Sequence, residues 1–209
     1  MSRKLWIGGA CGIMIIAIPT FFLRRPLPRD DLDVARAALA TGERTRALEE
    51  LNVWIARHSE KDANDPKVPF ALLMRGGLLV DLGDGYAALH DYERIATGHP
   101  QSPEFAEAVE RELSIGIKLV RGEIVGGRFG NRKESEGLGE ELLVRVGERL
   151  PGSAHSETAS WELACLYDRA NKLNIALAAY EIFVQQFPSS AHRASADQRV
   201  KALEKQISP

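Results

Sequence analysis

Histidine and cysteine, the side chains best suited to catalysis or metal binding, are scattered along this 209-residue sequence. The five histidines are His58, His90, His99, His155 and His192. No two stand three or four residues apart, the spacing that places two metal ligands on one face of a helix, and no HExxH motif occurs. Two cysteines, Cys11 and Cys165, cannot form a disulfide framework or a metal site by themselves. We therefore expect no metal site.

Cys165 is a possible nucleophile by residue type. It lies between Ala164 and Leu166 in an apolar segment of helical character, and no histidine follows within that segment. A small residue that is buried or faces a groove is therefore a better interpretation than a nucleophile. We expect no catalytic residues, no enzyme activity, no cofactor and no small-molecule substrate.

A glycine-rich stretch, Gly126-Gly127-Arg128-Phe129-Gly130, has the composition of a phosphate-binding loop. It lacks the GxGxxG and GxxxxGKS spacings, and no strand precedes it. Two interpretations remain: a solvated connection, or a loop that docks a partner protein through a positive patch and the apolar anchor Phe129. The patch consists of Arg121, Arg128, Arg132 and Lys133.

The charge of the chain is unevenly distributed. The net charge is −2, but residues 1–29 contain five basic residues and no acidic one, so the remainder carries −7. Hydrophobic residues make up 44% of the chain, enough for a sizeable core. An acidic body of this kind is not a strongly basic nucleic-acid binder, and we expect no nucleic-acid partner.

The N-terminal region contains a candidate membrane span. Residues 5–23 hold no charge and are flanked by basic residues, and a helix of this length would span roughly 28 Å. We predict that residues 1–29 are a membrane anchor and linker. A removed signal peptide and a lipoprotein signal at Cys11 are the alternatives. Basic residues on both sides leave the orientation of the span open.

Small residues recur in pairs that are 12 positions apart. The pairs are Ala35 and Ala47, Gly76 and Ala88, and Ala164 and Ala176, and the large residues Leu51, Tyr92 and Tyr180 follow them four positions later. Two antiparallel helices joined by a short turn would bring each small pair into contact. Pro100 and Pro188 stand 12 residues further on, where they would end the second helix. The spacing predicts helical hairpins that stack on one another.

These residues resemble the tetratricopeptide repeat. The clearest copy covers 157–188, with Leu163-Ala164-x2-Tyr167, Ala176-x3-Tyr180, Phe183 and Pro188. The phrase QFPSSA after this helix is similar to the periplasmic repeat proteins of the BamD and Tol-Pal coordinator type. The resemblance implies a membrane-anchored, periplasmic scaffold that binds protein partners in the bacterial cell envelope, with outer-membrane protein assembly as its most specific form. A dedicated regulatory or accessory subunit of a membrane secretion or respiratory complex is the alternative.

The predicted architecture is an all-α, tetratricopeptide-like helical-hairpin solenoid with an N-terminal transmembrane helix. The repeat domain is expected over 30–209, with helix pairs at about 30–59, 68–100, 103–151 and 155–188 and a capping helix at 190–207. The third pair is expected to contain a loop insert at 121–135, about 13 residues longer than a normal turn.

In the tetratricopeptide family, the first helix of each pair lines a groove that holds a peptide or a segment of another protein. The matching positions here are Phe70, Leu73, Val80 and Asp81 in one repeat and Thr158, Trp161, Cys165, Asp168 and Arg169 in another. Trp161 is either an anchor in that groove or an ordinary core residue. The predicted partner-binding set takes six of these positions and three from the glycine-rich loop: Phe70, Leu73, Asp81, Trp161, Asp168, Arg169, Arg128, Phe129 and Arg132.

Overall fold

The computed structural model of the chain describes residues 31–61 and 65–208. The candidate membrane span at 5–23 and its linker lie outside the described residues. Within 31–61 and 65–208, no helix combines the length and apolar character that a membrane crossing requires.

The described part of the chain folds into nine α-helices and contains no strand. The helices are α1 Asp31–Ala40, α2 Arg44–Lys61, α3 Lys67–Asp81, α4 Gly85–Gly98, α5 Phe105–Val120, α6 Arg132–Arg149, α7 Ala154–Arg169, α8 Leu173–Gln186 and α9 Arg193–Ile207. Helices α1 to α8 form four antiparallel pairs, and each pair packs on the next through α2 with α3, α4 with α5, and α6 with α7. Helix α9 packs on α8 and covers the last pair. The predicted all-α stack of helical hairpins is confirmed.

The paired small residues lie where the two helices of a hairpin approach each other. Ala35, Ala47, Ala88, Ala164 and Ala176 are fully buried, as are the large residues Leu51 and Tyr92 beside them. At Gly76 there is no room for a side chain, because a Cβ atom there would lie 2.9 Å from Cζ of Tyr92. The 12-residue spacing therefore encodes helix contact, as predicted.

The third hairpin uses the same contact with a longer connection. Gly116 of α5 faces Gly139 of α6, and a Cβ atom on Gly139 would lie 2.9 Å from the carbonyl oxygen of Gly116. These glycines are 23 positions apart, 11 more than the usual 12. The 12-residue spacing therefore misses this pair, because the insert lengthens the connection between the two helices.

The insert is shorter than predicted. Helix α6 begins at Arg132, so the connection covers 121–131 and not 121–135. A capping box fixes this start: Asn131 Oδ1 accepts from the Glu134 amide at 3.1 Å, and Glu134 Oε2 accepts from the Asn131 amide at 2.8 Å. Both orphan donors at the helix start are thereby satisfied, which extends α6 toward the loop.

Two arginines that pair with buried carboxylates also link neighbouring hairpins. Asp91 of α4 accepts from Nε and Nη2 of Arg75 of α3 at 2.8 and 2.5 Å, and Arg75 also donates to Asn52 of α2. Arg149 of α6 bridges Glu112 of α5 and Glu93 of α4. Because a buried charge without a partner is costly, Asp91 and Glu112 hold their arginines in place within one hairpin. The same arginines then reach the neighbouring hairpin, Arg75 through Asn52 and Arg149 through Glu93.

Candidate partner-binding surfaces

A cavity of about 450 Å³ lies on the side of the solenoid formed by first helices. We call it the first-helix groove; it is lined by Leu39, Gly42, Arg44, Leu73, Met74, Gly77, Leu78, Asp81, Glu107 and Arg111. These residues come from α1, the turn before α2, the first residue of α2, and helices α3 and α5. The structure thus brings together Leu73 and Asp81, two residues of the predicted partner-binding set.

The first-helix groove combines an apolar floor with charges of both signs. Arg111 donates to Glu107 at 2.9 Å, and this hydrogen bond raises the pKa of the Arg111 guanidinium. Arg44 and Asp81 form no ion pair with any other residue that the structure describes. The arrangement suits a peptide that places aliphatic side chains on the floor and its own charges against Arg44 and Asp81.

Phe70 and Val80, also on α3, do not line this cavity. The guanidinium of Arg36 lies 4.7 Å from the centre of the Phe70 ring and covers it, which links α1 to α3. Val80 is exposed. The predicted set on α3 is therefore divided between the groove and its surroundings.

Trp161 packs among aromatic residues of the last repeat. Its ring stacks on His192 at 4.4 Å and lies 5.7 Å from Tyr180 and 5.5 Å from Phe183, measured between ring centres. Contacts on this scale occupy its faces and edges, so the packing favours the core interpretation over a free groove anchor. The sequence left this choice open.

The polar residues of the predicted set on α7 contact neighbouring helices. Asp168 accepts from Nε and Nη2 of Arg199 on α9 at 2.8 and 2.6 Å, and Arg169 donates to the carbonyl oxygen of Val120 on α5 at 3.1 Å. Cys165 is half-buried beside the hydroxyl of Tyr180, and burial raises the pKa of its thiol. A raised thiol pKa lowers the thiolate fraction and with it nucleophilicity. Thr158 is exposed and bonds the carbonyl of Ala154.

The glycine-rich loop is folded against α4. Phe129 lies 5.5 Å from the Tyr86 ring, and Arg128 lies 4.8 Å from that ring and donates to Asp84 at 3.1 Å. The other arginines of the positive patch are also paired, Arg132 with Glu136 and Arg121 with Glu162. Acidic neighbours therefore neutralise most of the patch, and the loop is a packed strap across the start of α4.

A second, larger cavity was not predicted from the sequence. We call it the second-helix groove; it measures about 660 Å³ and is lined by Leu143, Val144, Gly147, Glu148, Pro151, Gly152, Ser156, Ser160, Leu163, Ile182, Gln186 and Phe187. Its walls are α6 and α8, and its floor is α7. Val144 and Ile182 are 41% and 49% exposed, and both of these large aliphatic side chains line this one cavity.

A small cavity of about 160 Å³ between α4 and α6 reaches the buried Glu112. Burial raises the pKa of the Glu112 carboxyl to about 7, and the nearby Glu93 adds to this effect, while the Arg149 guanidinium opposes it. Burial also acts to raise the pKa of Glu93, but hydrogen bonds and charge from Arg149 and Arg145 outweigh it and hold that pKa below its usual value. The two carboxyl groups thus differ in proton affinity.

No cluster of three or more histidine, cysteine, aspartate or glutamate side chains able to hold a metal ion occurs within residues 31–61 and 65–208.

Comparison with known proteins gives only distant likenesses. No protein-family model and no curated protein matches the sequence. Among solved structures, MamA of strain AMB-1 is 17% identical over 85% of this chain and 80% of that one, with a TM-score of 0.44. MamA from residue 41 onward, from Desulfovibrio magneticus RS-1, is 19% identical over 86% of this chain and 98% of that one, also with a TM-score of 0.44. At this level the similarity gives no information about partners.

Proposed function

We propose that this protein is a membrane-tethered helical-repeat scaffold that binds other proteins. The observation that supports the proposal is the first-helix groove, in which Leu73, Asp81 and Arg44 surround an apolar floor. A groove of about 450 Å³ accommodates several side chains of a bound segment, and the unpaired charges at its edge orient that segment.

The tether in this proposal is the uncharged segment 5–23. Its length suits a bilayer, and it would hold the repeat domain at the membrane surface, on the periplasmic side of a bacterial envelope. The most specific form of the proposal is a role in outer-membrane protein assembly, which rests on the resemblance of the C-terminal repeats to BamD-type proteins.

Exposed residues of the strap and of the start of α6 extend the proposed surface. Arg128 and Arg132 keep more than half of their side chains in solvent although both are paired, and Phe129 is half-buried. A partner that carries acidic groups can compete for these arginines. Trp161, Asp168 and Arg169 on α7 contact other parts of the fold with most of their side chains. Only the solvent-exposed part of each remains available to a partner.

A dedicated subunit of a secretion or respiratory complex is the second candidate. It shares the tether and the groove but would bind one client in place of several. The two candidates therefore differ in the number of proteins captured.

Capture of partners from solubilised membranes tests the proposal. The tagged full chain is compared with the Leu73→Glu, Asp81→Lys double variant and with Val53→Glu, which changes an exposed aliphatic residue outside the groove. We expect the chain in the membrane fraction, and we expect the groove variant alone to lose captured proteins. Recovery of the chain in the soluble fraction would contradict the tether. Equal capture by all three chains would contradict the role of the groove.

A further inference from the structure

The second helices of the repeats can be compared position by position. Ala88 of α4, Gly139 of α6 and Ala176 of α8 are the equivalent small residues of their hairpins. Five positions after the small residue stand Glu93 on α4, Val144 on α6 and Glu181 on α8. Six positions after it stand Arg94, Arg145 and Ile182, in the same helix order. Ten positions after it stand Gly98, Arg149 and Gln186. The comparison shows which side chains should face each other between successive second helices.

Between α4 and α6, these positions form an ionic bridge. Glu93 of α4 accepts from Arg145 of α6 at 2.9 Å and from Arg149 of α6 at 2.8 Å. The bridge joins the two helices across the side chains beneath it. A cavity of about 160 Å³ lies between these two helices.

Between α6 and α8, the equivalent positions hold uncharged residues. Val144 replaces the glutamate, and Ile182 and Gln186 replace the two arginines. All three line the second-helix groove, and no ion pair joins α6 to α8 in the portion of the chain that the structure covers. Among the described residues, no ionic bridge therefore spans the groove between these helices, which has a volume of about 660 Å³.

Small side chains form part of the floor of the second-helix groove, and both of its walls contain a large aliphatic side chain. Ser156 and Ser160 of α7 form the floor and leave depth for an inserted side chain, while Val144 and Ile182 stand opposite each other at its edges. Large aliphatic side chains exposed around a concavity are typical of surfaces that bind a partner.

Charge narrows the class of partner. Glu148 is the charged residue that lines the groove, and it forms no ion pair with another described residue. Glu181 stands exposed beside Ile182. A bound segment that carries lysine or arginine would complement this edge, whereas an acidic segment would be repelled.

We propose that the second-helix groove binds a segment of another protein in which aliphatic side chains flank a lysine or arginine. The aliphatic side chains lie between Val144 and Ile182, and the basic group pairs with Glu148. The inference rests on the proposed scaffold function and adds a second partner surface to it, formed by second helices and distinct from the first-helix groove.

The experiment uses the full chain with a photoreactive amino acid at Gln186, which lines the groove, or at Ile175 on the same helix, which is half exposed outside it. After irradiation of the cells that produce the protein, the cross-linked peptide is sequenced. We expect an adduct at Gln186 and none at Ile175, and we expect its peptide to contain aliphatic residues with lysine or arginine. Glu148→Lys should lower the yield about fivefold, the value of a partly exposed ion pair of about 1 kcal/mol.

A double variant provides the decisive control. Val144→Glu with Ile182→Arg recreates in this groove the bridge that Glu93 and Arg145 make in the preceding one, so it should abolish the adduct while preserving the thermal unfolding midpoint. If that chain does not fold, Ile182→Ser replaces it and should also lower the yield.

Several outcomes would overturn the proposal. These are equal adducts at Gln186 and Ile175, an adduct with a second copy of this chain, a peptide without a basic residue, or an adduct that persists in the double variant. Loss of partner capture in the Leu73→Glu, Asp81→Lys chain together with any of these outcomes would leave the scaffold function standing and remove only the second surface.

Discussion

Gly76 shows how one side chain decides the distance between two helices. The ring of Tyr92 on α4 lies against the α-carbon of Gly76 on α3, and there is no room for a methyl group. The adjacent Gly77 has open space around its α-carbon. A side chain would clash at Gly76 but would fit at Gly77. The 12-residue spacing to Ala88 identifies Gly76 from the sequence as the glycine that must stay small.

Alanine substitution at these two positions tests the contact directly. Gly76→Ala should lower the free energy of unfolding by about 1–3 kcal/mol, because it forces Tyr92 away from its packed position. Gly77→Ala should raise it by about 0.5–1 kcal/mol, because alanine loses less backbone entropy in a helix. Urea unfolding of both variants measures these changes. Equal effects at the two positions would show that close packing at Gly76 is not required.

At the scale of elements, the insert 121–131 acts as a strap and does not simply lengthen a turn. Phe129 reaches back to Tyr86 on α4, and Ser135 Oγ of α6 donates to the carbonyl oxygen of Phe129 at 3.0 Å. The strap therefore ties the third hairpin to the second. Its composition suggested a solvated or docking loop, since glycine and arginine content does not reveal which neighbour the loop contacts.

Phe129→Ala should loosen this connection. We expect a loss of about 1–2 kcal/mol in the free energy of unfolding, below the 3–5 kcal/mol of a fully buried phenylalanine because Phe129 is half-buried. Hydrogen exchange should increase for amides at the start of α4. Val125→Ala, on an exposed residue of the same strap, is the matched control and should change neither quantity. Unchanged exchange in α4 after Phe129→Ala would mean that the strap does not stabilise that helix.

At the scale of the whole molecule, the hairpins are joined by carboxylate and arginine pairs as well as by apolar packing. Glu112 is fully buried at the junction of the second and third hairpins, with Arg149 as its partner. The pKa of Glu112 in the folded chain is about 7, above the ordinary value of 4.5. Between these two pH values the folded state therefore keeps the carboxyl proton that the unfolded state has released. Stability from this group is therefore complete below about pH 4.5 and is lost as the pH rises toward 7.

Glu112→Gln should remove this pH dependence, because glutamine stays neutral and keeps a similar shape. We expect the thermal midpoint of the variant to fall less between pH 5 and pH 8 than that of the unchanged chain. Glu110→Gln, on an exposed residue of the same helix, should behave like the unchanged chain. The lowered pKa of Glu93 acts below pH 4.5, outside this interval. Parallel pH profiles for Glu112→Gln and the unchanged chain would contradict the assignment.

The sequence by itself determined the helices, their pairing and the small residues between them, because these features depend on contacts within about 12 residues along the chain. The prediction that Leu73 and Asp81 share one surface rests on the resemblance to the tetratricopeptide repeat and not on spacing alone. The start of α6 was placed too late because the strap and the capping box replace the usual short turn.

Only the tertiary structure decided which of the predicted contacts are free. The ring of Trp161 on α7 is covered by His192, which lies in the turn between α8 and α9. Arg128 is paired with Asp84, 44 residues earlier in the chain. The second-helix groove depends on three helices that meet only after the hairpins stack. Local spacing specifies a helix face, but whether that face is covered depends on residues distant in sequence, and their positions follow from packing of the whole solenoid.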